Sequence, residues 1–433
     1  MDLLVIAGIG IIIMIVLMFL GMNIGLSMFI VGFLGFAYVV GFGPAIGVLM
    51  SQPMANSMNY SLTVMPMFVL MGNFVFYAGM SSGLFDAAEK WFGRTRGGMA
   101  MATVVACALF GAICGSLPAA IITIGVIAYP EMRKRNYDEG LSSGALCAGA
   151  TLGNLIPPSN LLIIYGIITE TSIGKLFAAG ILPGILMTIA FVITILVIIK
   201  INPKLAPVGQ SYTMKEKLIS LKGIVLTLLL FAIVIGGMFA GFFSSTEAAA
   251  VGAFVAFVIM FVKRNASWKN IKSAILNTLK TTAMSLMIIL GAYMLGVFLA
   301  VTQMPMRMAD VINSINLPSA AIMGIIILIY AFLGCIMDAI AICLLTVPIM
   351  LPVINGLGYD VIWFGVMMAM VMNLGAITPP VGAGAFITSG AMKVPLQTVF
   401  KGLWPYVLAF AVCFIVVVFW PDLSTYLPKL MYG

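Results

Sequence analysis

The chain of 433 residues is 63% hydrophobic and 8% charged. A soluble domain carries about 25% charged residues, so this composition reads as an all-α polytopic membrane protein. Histidine is absent, which excludes HExxH zinc sites and every Ser–His or Cys–His nucleophile pair. The cysteines lie in apolar segments without metal spacing. The one Gly-Lys step, Gly174-Lys175, has Thr169 where a phosphate-binding loop needs glycine. The net charge of +8 is read as a topology signal rather than a nucleic-acid patch.

Taken in order, Leu3–Leu20 and Met22–Val40 read as two spans. The first follows Asp2 rather than a basic residue and leads straight into another span, so it is read as a membrane helix rather than a signal peptide. Gly43–Tyr60 is mixed and is placed at an interface; Ser61–Tyr77 is a third span. Asp86–Arg96 reads as a surface helix. Gly97–Tyr129 is apolar but interrupted at Gly111–Pro118, and basic residues flank both ends. That pattern predicts a re-entrant hairpin with Gly111–Pro118 at its tip. Leu141–Ile168 crosses with a break at Leu152–Asn160, LGNLIPPSN, where Pro157 and Pro158 stop the helix. Phe177–Ile199 returns to a basic loop, Lys200–Lys222.

Gly223–Ala240 and Glu247–Val262 form a helix pair, and Ser273–Val301 is one long span. Met304–Ile315 reads as a second surface helix. Pro318–Leu351, interrupted at Gly334–Ala339, is a second hairpin. Val361–Ser389 crosses with a break at Leu374–Gly382, LGAITPPVG, and Leu403–Trp420 is the last span. The total is about eleven spans plus two re-entrant hairpins. The domains predicted are scaffold spans over 1–60 and a first repeat over 61–200, with its hairpin at 97–129 and broken helix at 138–170. A cytoplasmic loop and scaffold pair follow over 201–272. The second repeat spans 273–433, with its hairpin at 317–351 and broken helix at 360–390.

The two halves repeat. Phe110–Pro183 overlays Phe332–Pro405 without a gap at an offset of 222, matching Tyr137-Asp138 to Tyr359-Asp360 and Pro157-Pro158 to Pro379-Pro380. Upstream, at an offset of 224, Gly72 meets Gly296 and Asp86 meets Asp310. Of 21 Lys and Arg residues, 18 fall in loops placed inside, which puts both termini outside. Arg133-Lys134-Arg135 flanks the first hairpin, whereas the matching Val353–Tyr359 has no basic residue. The halves therefore run in opposite senses, and an inverted repeat with broken helices is the architecture of alternating-access secondary transporters.

Each repeat offers a tip and a break. Ser116 and the Gly111–Gly115 carbonyls would face Gly153–Ser159; Asp338 and the Gly334–Met337 carbonyls would face Gly375–Pro379, near Thr378. Unwound carbonyls, hydroxyls and one carboxylate suit a small hard cation such as Na⁺, while half-helix N-termini favour an anionic substrate. Asp338 is an intramembrane carboxylate, read as an ion or proton group or, alternatively, as a helix cap. Ser116 and Thr378 are ligands or bond the turn behind them. Asn154, Ser159 and Asn160 either contact substrate or satisfy the break's own backbone. Glu247, after Ser244-Ser245-Thr246, is read as stabilising a helix start.

The run GSLPAAIITIGVIAYPEMRKRNYDEGLSSGALCAGATLGNLIPPSN within Gly115–Gly184 resembles the large membrane subunit of the tripartite ATP-independent periplasmic (TRAP) transporters. So do GFFSSTEAAAVGAF (Gly241–Phe254) and MNLGAITPPVGAGAF (Met372–Phe386), and the likeness covers essentially the whole chain. It departs at Phe243-Ser244-Ser245 and at Leu117-Pro118. The resemblance implies Na⁺-driven uptake across a bacterial inner membrane by an elevator movement. It also implies two partners: a small four-helix membrane subunit, and a periplasmic binding protein that selects a carboxylate such as a C4-dicarboxylate or sialic acid. It places ion sites at Ser116, Gly153 and Pro157, and at Gly334, Asp338, Gly375 and Thr378. The rival reading is a self-sufficient ion-coupled carboxylate carrier or antiporter. An intramembrane enzyme is the least favoured, because no paired intramembrane carboxylates are present.

Overall fold

The apolar runs form helices of membrane length, and their glycines decide how closely those helices cross. A computed structural model of the chain describes residues 2–57, 60–307 and 317–432. Among the described residues every regular element is a helix, and none is a strand. Seven helices are long and apolar enough to cross a membrane alone, or up to eight if the bent pair Met214–Leu221 and Val225–Phe239 makes one span. Shorter apolar helices such as Gly98–Cys114, Val361–Ala376 and Ala383–Met392 are parts of the interrupted segments.

Both interrupted pairs are present. The first hairpin is Gly98–Cys114 and Leu117–Lys134, and the second is Ser319–Ile336 and Ala339–Gly356. The first broken span runs Glu139–Thr151, a 3₁₀ turn Leu152–Asn154, then Asn160–Ile168; the second is Val361–Ala376 and Ala383–Met392. The repeat extends to the caps. Asp138 accepts from the Leu141 N–H at 2.9 Å, and its counterpart Asp360 accepts from the Trp363 N–H at 2.8 Å. The Pro157–Pro158 and Pro379–Pro380 bonds are both cis.

Small residues set the helix crossings, as expected where lipid supplies no hydrophobic drive between helices. Ile24–Val40 lies along Trp268–Val301, and a Cβ on Gly32 would sit 2.5 Å from the Leu295 nitrogen. Val64–Tyr77 packs against both Ser245–Val262 and Trp268–Val301. The first repeat's Glu139–Thr151 packs on the second repeat's Leu396–Phe419, where a Cβ on Gly144 would sit 2.5 Å from the Gly402 oxygen. The two repeats are thus interlocked rather than side by side.

Several boundaries differ from expectation. Residues 43–60 were placed at an interface as a mixed segment, yet a helix covers Phe42–Ser57. Pro44 falls in its first turn, where no N–H partner is needed. The last span begins at Leu396, and Pro405 lies inside it, as its repeat partner Pro183 lies inside Ile173–Ile201. A terminal helix, Asp422–Tyr432, follows the last span and packs against Ile173–Ile201. The expected surface helix over Met304–Ile315 lies mostly outside the described residues. Glu247 does form a capping box: its carboxylate accepts from the Ser244 N–H at 2.8 Å, and its own N–H donates to Ser244 Oγ at 3.3 Å.

On the basic side, the linker after Ile201 folds back on the first hairpin. The Asp138 N–H donates to the Leu205 carbonyl at 2.9 Å. Glu89, at the end of Met80–Phe92, holds Arg135 at 2.7 Å and accepts from the Tyr212 hydroxyl at 3.1 Å. Burial, together with the neighbouring Glu89 carboxylate, pushes the Tyr212 phenol up.

Candidate functional site

The two breaks and the two tips meet because glycines let backbone cross backbone. A Cβ on Gly111 would sit 2.5 Å from the Gly153 Cα, so the first tip rests on the first break. In the second repeat a Cβ on Gly375 would overlap the Gly334 carbonyl carbon and sit 2.7 Å from the Cys335 nitrogen. The Asn160 N–H donates to the Gly115 carbonyl at 3.4 Å, and the Gly382 N–H donates to the Cys335 carbonyl at 3.0 Å. Each break is therefore sewn to the tip of its own hairpin by one backbone bond.

These contacts bring both tips to one cavity of about 120 Å³. Ser116, Asn154, Asn160 and Asp338 line it. So do Leu117, Ala339 and Ala383, which with Asn160 are the first residues of four separate helices. A helix start carries a partial positive charge of about +0.5, and here some first-turn N–H groups already have partners: Leu117 donates to Asn154 Oδ1, Asn160 to the Gly115 carbonyl and Ile340 to Asp338. No Lys or Arg lines the cavity. Four converging helix starts favour an anion without a basic side chain, beside the Asp338 carboxylate that caps one of them.

The polar side chains divide by what they already hold. Asp338 caps Ala339–Gly356, accepting from the Ile340 N–H at 3.0 Å. Ser116, its repeat counterpart, occupies the same N-cap position on Leu117–Lys134, but its hydroxyl makes no capping bond. One site thus offers a carboxylate and the other an uncommitted hydroxyl. The Thr378 hydroxyl donates to the Leu374 carbonyl behind it, which leaves its oxygen lone pairs. Ser159 is fully buried, donates to the Asn154 carbonyl at 2.6 Å and accepts from the Leu162 N–H at 3.3 Å. It holds the break and does not line the cavity, and neither do Gly153, Pro157, Gly334, Gly375 or Thr378. The glycines among these stand behind the lining as the crossing points. Among the residues lining the cavity Asp338 is the one that is acidic, and among the described residues no three His, Cys, Asp or Glu gather into a group. The Asp338 carboxylate and the Ser116 and Thr378 hydroxyls are oxygen donors of the kind hard cations take.

One residue of the site escaped sequence reasoning. Asn154 Oδ1 accepts from the Leu117 N–H at 3.3 Å, and Asn154 Nδ2 donates at 2.9 Å to Asn373 Oδ1. Asn373 is 1% exposed and belongs to the second broken span, so this chain of bonds joins the first tip to both breaks. Its Nδ2 has no partner among the described residues. The available signal was an amide inside an otherwise apolar helix immediately before LGAITPP.

Residues 11–423 match the family described as tripartite ATP-independent periplasmic transporter, DctM component. The chain belongs to this family. Among its relatives, a C4-dicarboxylate TRAP transporter large permease protein from Pseudomonas aeruginosa is 35% identical over 375 residues, covering 86% of this chain and 87% of the relative. A sialic acid TRAP transporter large permease protein from Vibrio cholerae is 31% identical over 418 residues, covering 96% and 97%. A 2,3-diketo-L-gulonate TRAP transporter large permease protein from Escherichia coli is 31% identical over 378 residues, covering 87% and 88%. In fold, the chain resembles the Alcanivorax borkumensis YdaH transporter, described as having an unusual topology. The TM-score is 0.63 at 14% identity, over 87% of this chain and 90% of that one. As a TRAP large permease, the chain is a multi-pass membrane transport protein, and the tripartite family implies a small membrane subunit and a periplasmic binding protein.

Proposed function

We propose that the chain is the Na⁺-coupled permease for a small carboxylate delivered by a periplasmic binding protein. The observation that carries this reading is the convergence of four helix N-termini on one cavity that also holds Asp338 and Ser116. The N-termini attract the carboxylate. Asp338, Ser116, Thr378 and the carbonyls at Gly153, Pro157, Gly334 and Gly375 supply oxygen to Na⁺ on either side, and Asn154 and Asn160 face the substrate. Cation and anion bound within one small site stabilise each other, which is the physical basis of coupling. The relatives named for C4-dicarboxylate, sialic acid and diketogulonate support an organic acid as cargo.

The same reading places the chain in the bacterial inner membrane with both termini periplasmic, beside a small four-helix subunit. Tips and breaks, sewn together as they are, would move as one elevator against the scaffold of Ile24–Val40 and Ser245–Val262, to which packing adds Val64–Tyr77 and Trp268–Val301, the helices assigned above to the starts of the two repeats. Cysteine cross-links from each tip to Trp268–Val301 should form in one state and not the other; equal yields in inward- and outward-biased states argue against the elevator. The tripartite role is tested in proteoliposomes holding the large and small subunits. Uptake should require the cognate binding protein, and undiminished uptake without it would make the chain a self-sufficient carrier.

A further inference from the structure

Beside the central cavity lies a second, of about 200 Å³, which shares Ser116 and Asn160 with it. Its far wall is scaffold: Asn73 from Val64–Tyr77, with Asn277 and Thr281 from Trp268–Val301. Lys280 lies between the last two in sequence, and on the charge-based orientation above the cavity would open toward the inner side.

The hydrogen bonds of Asn73 fix which atom it presents. Its Nδ2 donates to the Val69 carbonyl at 3.0 Å and to Thr278 Oγ1 at 3.1 Å. The Thr278 proton goes to the Ala274 carbonyl at 2.8 Å, so Thr278 can only accept from Asn73. Both amide protons of Asn73 are therefore spent, and the amide cannot be turned over without facing its oxygen to a carbonyl. Oδ1 is left as an acceptor with no donor among the described residues. Asn277 likewise directs Nδ2 away, to the Tyr77 hydroxyl at 2.9 Å.

The repeat supplies a control for whether the fold demands this polarity. Gly72 lines the polar cavity and its counterpart Gly296 lines another, while Ile122 of the first hairpin corresponds to Leu344 of the second. In that second crevice the counterpart of Asn73 is Val297, with Ala292, Pro348 and Ile349 nearby. The same scaffold-to-hairpin crevice forms there from apolar side chains and Tyr293, so the fold does not demand an amide at this position, although Asn73 and Asn277 also tie Val64–Tyr77 to Trp268–Val301.

At Asn73 Oδ1 a carboxylate oxygen gains nothing, whereas a hydroxyl group can donate to it; the Thr123 and Thr281 hydroxyls on the same lining can donate or accept. We propose that the inner cavity is a second subsite of the transported acid, in which Asn73 Oδ1 accepts a hydrogen bond from a substrate hydroxyl. The chain then selects hydroxylated carboxylic acids over their deoxy counterparts. This rests on the carboxylate reading above, with the carboxylate at the four helix starts and the hydroxyl at the scaffold.

The test uses the complete three-part assembly in proteoliposomes, with malate and succinate as the hydroxylated and deoxy probes. The ratio of their uptake rates is compared between wild type and variants, so any preference of the binding protein cancels. Wild type should favour malate, and Asn73→Leu should lower the malate-to-succinate ratio about tenfold, the scale of one lost hydrogen bond. Thr278→Val cuts the same tie between scaffold helices but leaves Oδ1 in place, and should hold the ratio within about twofold. Asn73→Thr keeps an acceptor oxygen and should retain part of the preference. A wild type without preference for malate, an unchanged ratio in Asn73→Leu, equal loss of both acids, or an equal fall in Thr278→Val overturns the subsite. If wild type moves neither acid, the hydroxyl subsite is overturned, whereas the carboxylate reading, which also covers sialic and keto acids, falls only if the assembly moves none of these acids.

Discussion

Gly375 and Gly334 show what one missing side chain does at this site. Their backbones touch, and any Cβ on Gly375 meets the carbonyl carbon of Gly334 and the nitrogen of Cys335, neither of which can rotate away. Overpacking a crossing of this kind costs about 1–3 kcal/mol. Gly375→Ala should therefore lower the melting temperature of the purified protein and raise the Na⁺ concentration for half-maximal uptake. Gly324 has open space around its Cβ position, so Gly324→Ala should be neutral or stabilise by up to ~1 kcal/mol. Similar behaviour of the two variants would remove the close crossing from the account. Both glycines of the second crossing were legible in the sequence as parts of GCIMDA and LGAITPP. What a lone residue does with its hydrogen bonds was not. Ser159 in the break and Ser116 at the tip are both serines just before a helix, yet the first spends both of its bonds on the break and the second makes no cap bond. That difference depends on which carbonyls and N–H groups lie within reach, and so on the finished turn.

At the scale of the element, the repeat is carried by helix starts. Asp138 and Asp360 cap the two broken spans with the same geometry. Removing an N-cap carboxylate typically costs about 1 kcal/mol, within a range of ~0.5–2. Asp138→Ala and Asp360→Ala should each lower thermal stability by about that amount, and Asn at either position, which also caps, should recover most of it. A melting temperature unchanged by either alanine would mean the caps do not hold these helices. The sequence showed both starts, because Tyr-Asp recurs at the repeat offset ahead of each broken span. It did not show the helix over Phe42–Ser57, because Pro44 and the polar residues around Asn56 obscure the apolar periodicity. Nor did it show Asp422–Tyr432, whose short amphipathic run is settled by packing against Ile173–Ile201. Propensity loses to tertiary contact in both cases.

At the scale of the molecule, the inverted repeat brings two tips and two breaks to one cavity, so four helix starts stand where a carboxylate would bind. The repeat itself was readable from paired prolines and charge flanks. The bridge between the halves was not, because Asn154 to Asn373 joins residues that the repeat offset does not pair. With one tip carrying a carboxylate and the other a hydroxyl, the proposed Na⁺ coupling would have Asp338 as the ion's strongest electrostatic partner. The most direct test is substrate uptake by the complete assembly in proteoliposomes with and without an inward Na⁺ gradient, for wild type and Asp338→Asn. The account predicts that the gradient drives wild-type uptake and that Asp338→Asn lowers this stimulation about tenfold, equivalent to ~1.4 kcal/mol from one charge-assisted contact, with the complex still assembled. Equal Na⁺ stimulation in both proteins would contradict it.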